Sequence, residues 1–167
     1  MGRLARQGRL EVRVEAPPTA VWEVLADVTR TGEWSHECRA VEWIGAPGRP
    51  VPGARFRGRN RYGRLRWSRV NEVQLVDAPR SFGWRTVPSP LYPDSTEWRI
   101  HLEPDGAGTR IVQEFRVVRL NPLLDRLFWL TMTGHRDRRA ALAADLQRLG
   151  ALAAGEDAPT GGAPARR

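Results

Sequence analysis

The most chemically capable residues of the sequence stand side by side as His36, Glu37 and Cys38. An imidazole, a carboxylate and a thiol are groups that perform acid–base and nucleophilic catalysis in proteins. A general base must face the group that it activates, and neighbours in a chain usually face different ways. The triplet alone therefore does not define a catalytic site.

The motifs of the better-known catalytic classes are missing from the sequence. It holds no nucleophile elbow, no phosphate-cradling loop and no metal-ligand spacing. Cys38 is the only cysteine, so an intrachain disulfide and a cysteine metal framework are both excluded. We therefore expect neither a cofactor nor a metal.

Composition indicates one globular domain. The chain has 167 residues and a formal net charge of +8, and its 27 basic residues are all arginine. Arginine without lysine is typical of a GC-rich genome and is weaker evidence for nucleic-acid binding than lysine clusters. We expect no nucleic-acid partner, no integral membrane segment and a cytoplasmic location. The predicted domain spans residues 8–150, with disordered tails at 1–7 and 151–167.

Period-two alternation of apolar and polar residues predicts a first strand over 8–16. Helical spacing after Pro18 predicts a short helix that Gly32 breaks, and a second helical turn is expected around Glu33 to Glu37. Turn residues then separate further predicted strands at 39–44, 54–62, 65–76, 80–87, 95–103 and 109–118. Short connections between them favour an antiparallel sheet of seven strands.

A long helix is predicted from Asn121 to Leu149, because Asn can cap a helix and Pro122 suits its first position. At ~1.5 Å per residue it would be about 40 Å long, enough to cross a sheet. Its stripe towards the sheet comprises Leu124, Leu127, Phe128, Thr131, His135, Arg138, Leu142, Leu146 and Leu149. The polar residues in the middle of this stripe either reach solvent at the margin or contact a ligand.

Alternation within the strands separates an inner face from an outer face. The inner face combines aromatic rings with isolated polar groups, which suits a ligand pocket as well as a plain core. On the outer face, Arg55, Arg57, Arg59 and Arg61 form an arginine row, which is either a solvated surface or a contact for an anionic lipid surface or acidic partner. Trp129 lies off the helix stripe, and a homodimer contact, a neighbouring loop or a membrane surface are the alternatives for covering it.

An ordered set of residues resembles the polyketide cyclase/dehydrase-like family of the START-like (SRPBCC) superfamily. The set comprises residues 14–27, Trp34, the Pro52-Gly53 turn, residues 78–82, Trp98 and residues 106–109. The resemblance covers most of residues 8–150. It implies a helix-grip (START-like or birch-allergen-like) fold of the α+β class. In that fold a seven-stranded curved antiparallel sheet wraps around a long C-terminal helix, and two short helices follow the first strand.

The family includes aromatase/cyclases, lipid and sterol carriers and hormone receptors, so the resemblance implies a ligand cavity beneath the last helix. The same resemblance places Cys38 and Asn71 at the positions of the catalytic tyrosine and arginine of the aromatase/cyclases. Arg69 lies two residues from Asn71 on the same strand face. This departure favours a binding protein over an enzyme.

We therefore expect a carrier or sensor for a small hydrophobic ligand of lipid, polyketide or aromatic type. The alternative is a polyketide aromatase/cyclase or dehydratase without a cofactor, with Arg69, Tyr62 or His135 as acid–base candidates. The expected ligand-binding residues are Phe56, Asn60, Tyr62, Trp67, Arg69, Asn71, Trp98, Ile100, Gln113, Phe115, Phe128, Thr131 and His135. A homodimer and peripheral membrane contact are further expectations.

Overall fold

Seven strands pair into one antiparallel sheet in the order β1-β7-β6-β5-β4-β3-β2. The computed structural model describes residues 5–131 and 138–155, apart from the side chains of residues 124, 128 and 131. The strands are β1 (Gln7–Val14), β2 (Cys38–Ile44), β3 (Arg55–Tyr62), β4 (Leu65–Asp77), β5 (Ser81–Thr86), β6 (Ser95–Asp105) and β7 (Gly108–Arg119).

Every strand lies within two residues of its predicted limits, and the predicted antiparallel pairing is confirmed. The turn residues explain this agreement, because they lie in the connections between consecutive strands from β2 to β7. At the tight β3–β4 connection Gly63 has a φ of 57°, a backbone conformation that glycine adopts without steric cost.

Three short helical segments connect β1 to β2. They are α1 (Pro18–Ala26), a single 3₁₀ turn at Val28–Arg30, and α2 (Thr31–Trp34). The second helical turn predicted around Glu33 to Glu37 is present as α2 but lies two to three residues earlier. It ends at Trp34 because Ser35 is already extended and its hydroxyl accepts hydrogen bonds from the backbone N–H groups of Glu37 and Cys38.

Gly32 lies inside α2 rather than breaking a helix, which corrects the prediction. A Cβ atom at this position would lie 2.4 Å from the backbone oxygen of Arg39. The glycine therefore allows α2 to approach the start of β2 closely.

The predicted C-terminal helix is represented by two helices, α3 (Pro122–Thr131) and α4 (Arg139–Ala153). As predicted, Asn121 caps the start, because its Oδ1 accepts a hydrogen bond of 3.0 Å from the backbone N–H of Leu123. A single helix from Asn121 to Leu149 is wrong, since Arg138 stands outside α4 as its N-cap. Residues 132–137, including His135, lie outside the described part of the chain.

The division changes the predicted stripe. Leu142, Leu146 and Leu149 on α4 are buried as expected, whereas Leu127 on α3 is 50% exposed, so its assignment to the stripe is wrong. A sequence pattern extrapolated through one continuous helix does not hold where Arg138 stands outside the helix. The side chains of Leu124, Phe128 and Thr131 are not described.

One hydrophobic core joins α4 to the sheet and to α1. Leu146 and Leu149 lie in the same buried cluster as Ile100 and Ile111 on the central strands and Val21 on α1. Burial of such side chains is the main favourable term in folding. The structure confirms the predicted α+β helix-grip architecture, in which the sheet encloses the long C-terminal helix α4.

Ordered structure extends beyond the predicted limits of 8–150. β1 begins at Gln7 and α4 continues to Ala153. The other tail residues, 1–4 and 156–167, lie outside the described part of the chain.

The arginine row on β3 is exposed, as predicted. Arg55 forms an ion pair with Glu72 on β4, and Arg57 and Arg59 both pair with Glu42 on β2. Much of the positive charge of the row is therefore balanced on the same face.

Candidate functional site

A cavity of about 280 Å³ lies between the inner face of the sheet and the helical layer. Aromatic rings form much of its wall. Trp98 on β6 stacks on Trp84 of β5 with ring centroids 6.2 Å apart, and it contacts Phe115 of β7 at 5.3 Å. Phe56 and Trp67 line the cavity from β3 and β4. Such rings give a rigid apolar wall that suits an apolar or aromatic ligand.

Arg69 brings a positive charge to this wall, and its guanidinium is held firmly in place. It forms an ion pair of 3.0 Å with Asp94, donates a hydrogen bond of 2.9 Å to the backbone oxygen of the same residue, and lies over the ring of Tyr92. The charge is therefore balanced. Its Nε atom is buried and has no hydrogen-bond partner among the described residues.

Asn71 lies two residues further along the same face of β4. Its Oδ1 accepts a hydrogen bond of 3.2 Å from the hydroxyl of Thr86 on β5. Gln113 on β7 is also buried, but its Oε1 lacks a partner among the described residues. The sheet thus supplies one amide whose oxygen is hydrogen-bonded and one whose oxygen has no partner within residues 5–131 and 138–155.

A second arginine reaches the cavity from the start of α4. Arg138 forms an ion pair of 3.2 Å with Glu37 and lies over the ring of Trp98, 5.6 Å from its centroid. Its Nε, like Nε1 of Trp34, is buried without a hydrogen-bond partner in the described chain. Arg138 therefore lines the cavity, which agrees with the ligand-contact alternative for the polar part of the stripe.

His36 is joined to α4 by a contact that sequence analysis missed. Its Nδ1 lies 2.7 Å from Oδ2 of Asp145, and its backbone N–H donates a hydrogen bond of 2.8 Å to Oδ1 of the same carboxylate. Arg148, one turn further along α4, also pairs with Asp145. His36 and Asp145 both line the cavity. No local pattern links residues 109 positions apart, so only the fold brings them together.

Cys38 is unsuited to act as a nucleophile in the folded protein. Burial raises the pKa of its thiol to about 11 from the usual 9.0, and the nearby Glu37 carboxylate adds to the rise. The thiolate is the reactive form of cysteine, and very little of it is present near neutral pH. The three neighbours therefore do not act together: His36 pairs with Asp145, Glu37 pairs with Arg138, and Cys38 is a buried thiol.

The cavity brings together eight of the expected ligand-binding residues from four strands. They are Phe56, Asn60, Trp67, Arg69, Asn71, Trp98, Gln113 and Phe115. Their contacts with a ligand remain predictions.

Two expected residues do not line this cavity. Tyr62 lies at the far end of β3, where it pairs with Leu65 beside the hairpin turn. Ile100 is fully buried within the core cluster, because the wall at its position is closed by packed side chains. Phe128, Thr131 and His135 cannot be placed, since their side chains are outside the described structure.

Within residues 5–131 and 138–155, no group of three or more His, Cys, Asp or Glu side chains is arranged to hold a metal ion. Over the same residues, no helix has the length and apolar character needed to cross a membrane.

Known proteins of the same architecture support the family predicted from sequence. The family described as polyketide cyclase / dehydrase and lipid transport matches residues 6–154. A search of curated proteins found no match.

Solved structures similar to this chain come from several bacteria. Aromatase/cyclase ZhuI of Streptomyces sp. R1128 has a TM-score of 0.67 and 17% identity, with 95% of this chain and 99% of that chain covered. Protein TTHA0849 of Thermus thermophilus has a TM-score of 0.68 and 17% identity, covering 89% and 97%. The polyketide_cyc-like protein Cgl2372 of Corynebacterium glutamicum has a TM-score of 0.53 and 26% identity, covering 88% of each chain. With the matched family spanning nearly all the described residues, the chain belongs to the polyketide cyclase / dehydrase and lipid transport family.

Proposed function

We propose that this protein is a cytoplasmic carrier or sensor that binds a small hydrophobic ligand of lipid, polyketide or aromatic type in the cavity between the sheet and α4. The observation that carries the proposal is an aromatic wall in which four buried polar atoms lack partners among the described residues. They are Nε1 of Trp34, Nε of Arg69, Oε1 of Gln113 and Nε of Arg138.

The energetic argument starts from those four atoms. A buried donor or acceptor without a hydrogen bond costs about 1–3 kcal/mol, so four such atoms on residues that line one cavity are unfavourable unless a ligand bonds to them. A ligand with a few oxygen atoms can satisfy them while its apolar body packs against Trp98 and Phe115. The volume of about 280 Å³ favours a compact molecule.

Native mass spectrometry of the protein purified from its own host, followed by extraction and identification of the bound molecule, tests the proposal. We expect a defined small apolar compound at a stoichiometry of one per chain. An empty protein that also binds nothing from an apolar compound library contradicts the proposal.

The second candidate is an aromatase/cyclase or dehydratase acting on a bound polyketide intermediate. It is supported by the likeness to the Streptomyces aromatase/cyclase and by the two guanidinium groups, Arg69 and Arg138, on the cavity wall. Positive charge of this kind polarises a carbonyl oxygen. Of the acid–base candidates named from sequence, Arg69 lines the cavity, Tyr62 does not, and His135 lies outside the described residues.

Turnover distinguishes the two candidates. Under the enzyme alternative, Arg69→Ala folds but loses product formation from a linear polyketide intermediate, whereas exposed Arg57→Ala retains it. An identical product distribution with and without the wild-type protein contradicts the alternative. The homodimer and peripheral membrane contact expected from sequence remain predictions.

A further inference from the structure

Asp145 is a carboxylate in an almost fully buried position, with only 3% of the residue exposed. Burying a charge is costly unless it is paired and hydrogen-bonded, and here three groups compensate it. They are the backbone N–H of His36, the Nδ1 atom of the same residue and the guanidinium of Arg148. Arg148 is itself fixed, because its Nε donates a hydrogen bond of 2.8 Å to the backbone oxygen of Trp34.

This arrangement determines which nitrogen of the His36 ring donates a hydrogen bond and which accepts one. An ionised carboxylate only accepts hydrogen bonds, so the Nδ1 atom of His36 must carry a hydrogen and donate it to Asp145. In the neutral imidazole, Nε2 is then left with a lone pair and acts as an acceptor. Nε2 makes no hydrogen bond with any described residue. The His36 side chain lines the cavity and remains 27% exposed.

We propose that Asp145 holds His36 so that its Nε2 accepts a hydrogen bond from an acidic hydroxyl of the ligand. The ligand class is a compact aromatic or enolic molecule that carries at least one phenol or enol O–H. The inference rests on the proposed function and specifies the chemistry of the ligand that the cavity takes.

The other polar atoms of the wall fit the same ligand class. Nε of Arg69, Nε of Arg138 and Nε1 of Trp34 are donors, and they suit the acceptor oxygens of a phenol, ketone or enol. Gln113 Oε1 and His36 Nε2 are acceptors, and only a ligand that carries hydrogen-bond donors can use them. A pure hydrocarbon or an ether would leave both acceptors without partners.

A purely structural role for His36 is the competing explanation, because the contact also ties the α2–β2 connection to α4. The backbone N–H of His36 and the guanidinium of Arg148 already make that connection, and neither needs an imidazole at position 36. A structural role predicts no difference between ligands with and without a hydroxyl, so paired probes separate the explanations.

The paired probes are 2-naphthol and 2-methoxynaphthalene, titrated into the full chain by calorimetry. We expect the wild-type protein to bind the naphthol about 3- to 10-fold more tightly, the range that one net hydrogen bond supplies. In His36→Leu the two affinities become equal, while the affinity for the ether stays the same. The matched control is Arg57→Leu on the exposed face of β3, which does not line the cavity and keeps the preference for the naphthol.

A second measurement uses only the wild-type protein, in case His36→Leu does not fold. In a long-range ¹H–¹⁵N spectrum, the Nε2 resonance of His36 shifts when naphthol is added and does not shift with the ether. Equal affinity for both probes together with an unmoved Nε2 resonance overturns this inference but leaves the proposed function standing. Failure of the wild-type protein to bind either probe contradicts the proposed function for aromatic ligands, and this inference with it.

Discussion

Strands β6 and β7 run through two regions of the molecule, a core end and a cavity end. Both ends have the same alternating sequence pattern, but one is packed and the other lines the cavity. At the core end, Leu102 pairs with Ile111, and both belong to the buried cluster that contains Leu146 of α4. At the cavity end, Trp98 pairs with Phe115, and Gln113 keeps an acceptor without a partner among the described residues. Strand periodicity therefore determines which face is inner, while the helical layer above determines whether that face becomes core or cavity.

The largest effect that separates the two ends is on stability. Leu146→Ala removes a fully buried side chain at the core end, and we expect the free energy of unfolding to fall by about 2–5 kcal/mol. Urea denaturation measures the change. Leu123→Ala on α3 is the control, because Leu123 is 81% exposed and its loss alters stability by no more than about 0.5 kcal/mol. A change below about 1 kcal/mol for Leu146→Ala would show that the core end is not tightly packed.

The labelling rate of the Cys38 thiol tests the cavity end. Burial raises the pKa of its thiol from 9.0 to about 11, and each unit reduces the thiolate fraction about tenfold at pH 8. We expect a disulfide reagent to label Cys38 about 100-fold more slowly in the folded protein than in the urea-unfolded chain. The rate in the folded protein should rise about tenfold per pH unit until the pH approaches 11. Equal rates in the two states contradict the burial of this thiol beside the cavity.

The smallest effects come from a matched pair of polar residues on the same face of β7. Thr109, at the core end, donates a hydrogen bond of 2.6 Å to the backbone oxygen of Ala16. We expect Thr109→Val to cost about 1–3 kcal/mol, because the carbonyl is left buried without its partner. Gln113→Leu removes an acceptor that has no partner in the described part of the chain, so stability should stay the same or rise by about 1 kcal/mol.

Both variants are measured by urea denaturation under identical conditions. A larger loss for Gln113→Leu than for Thr109→Val would break the distinction between a satisfied core end and an unsatisfied cavity end. Weaker ligand binding by the more stable Gln113→Leu variant would show that stability is sacrificed there for function.

Strand order and inner-face residues were predictable because alternation and turn chemistry are local properties of the sequence. The expected grouping of Trp67, Arg69 and Asn71 on one face is an example, and the structure confirms it. Ile100 shows where this reasoning ends, because it shares a strand face with Trp98 and yet belongs to the core. Alternation gives no information on how far along a strand the helical layer is packed against it.

The contact between His36 and Asp145 depends on two elements that are distant in sequence. Asp145 stands among alanine and leucine residues on α4, and no local pattern distinguishes it from a solvent-exposed aspartate. The start of α4 was likewise missed, because Arg138 is as good a helix former as the Arg139 that follows it, so residue type does not distinguish Arg138 as the N-cap.

The claim that the cavity is a ligand-binding site is tested most directly by filling it. Gly58 on β3 lines the cavity, and a Cβ atom there would meet Sγ of Cys38 at 3.5 Å and Nδ2 of Asn71 at 3.9 Å, which are ordinary contacts. A Cβ atom at this position therefore meets no backbone clash, and we expect the rest of the leucine in Gly58→Leu to extend into the cavity. A leucine also favours the strand more than a glycine does. Calorimetric titration with 2-naphthol should show at least about tenfold weaker binding than wild type, with an unchanged or higher urea midpoint. Equal affinity in wild type and Gly58→Leu, with both proteins folded, would contradict the account.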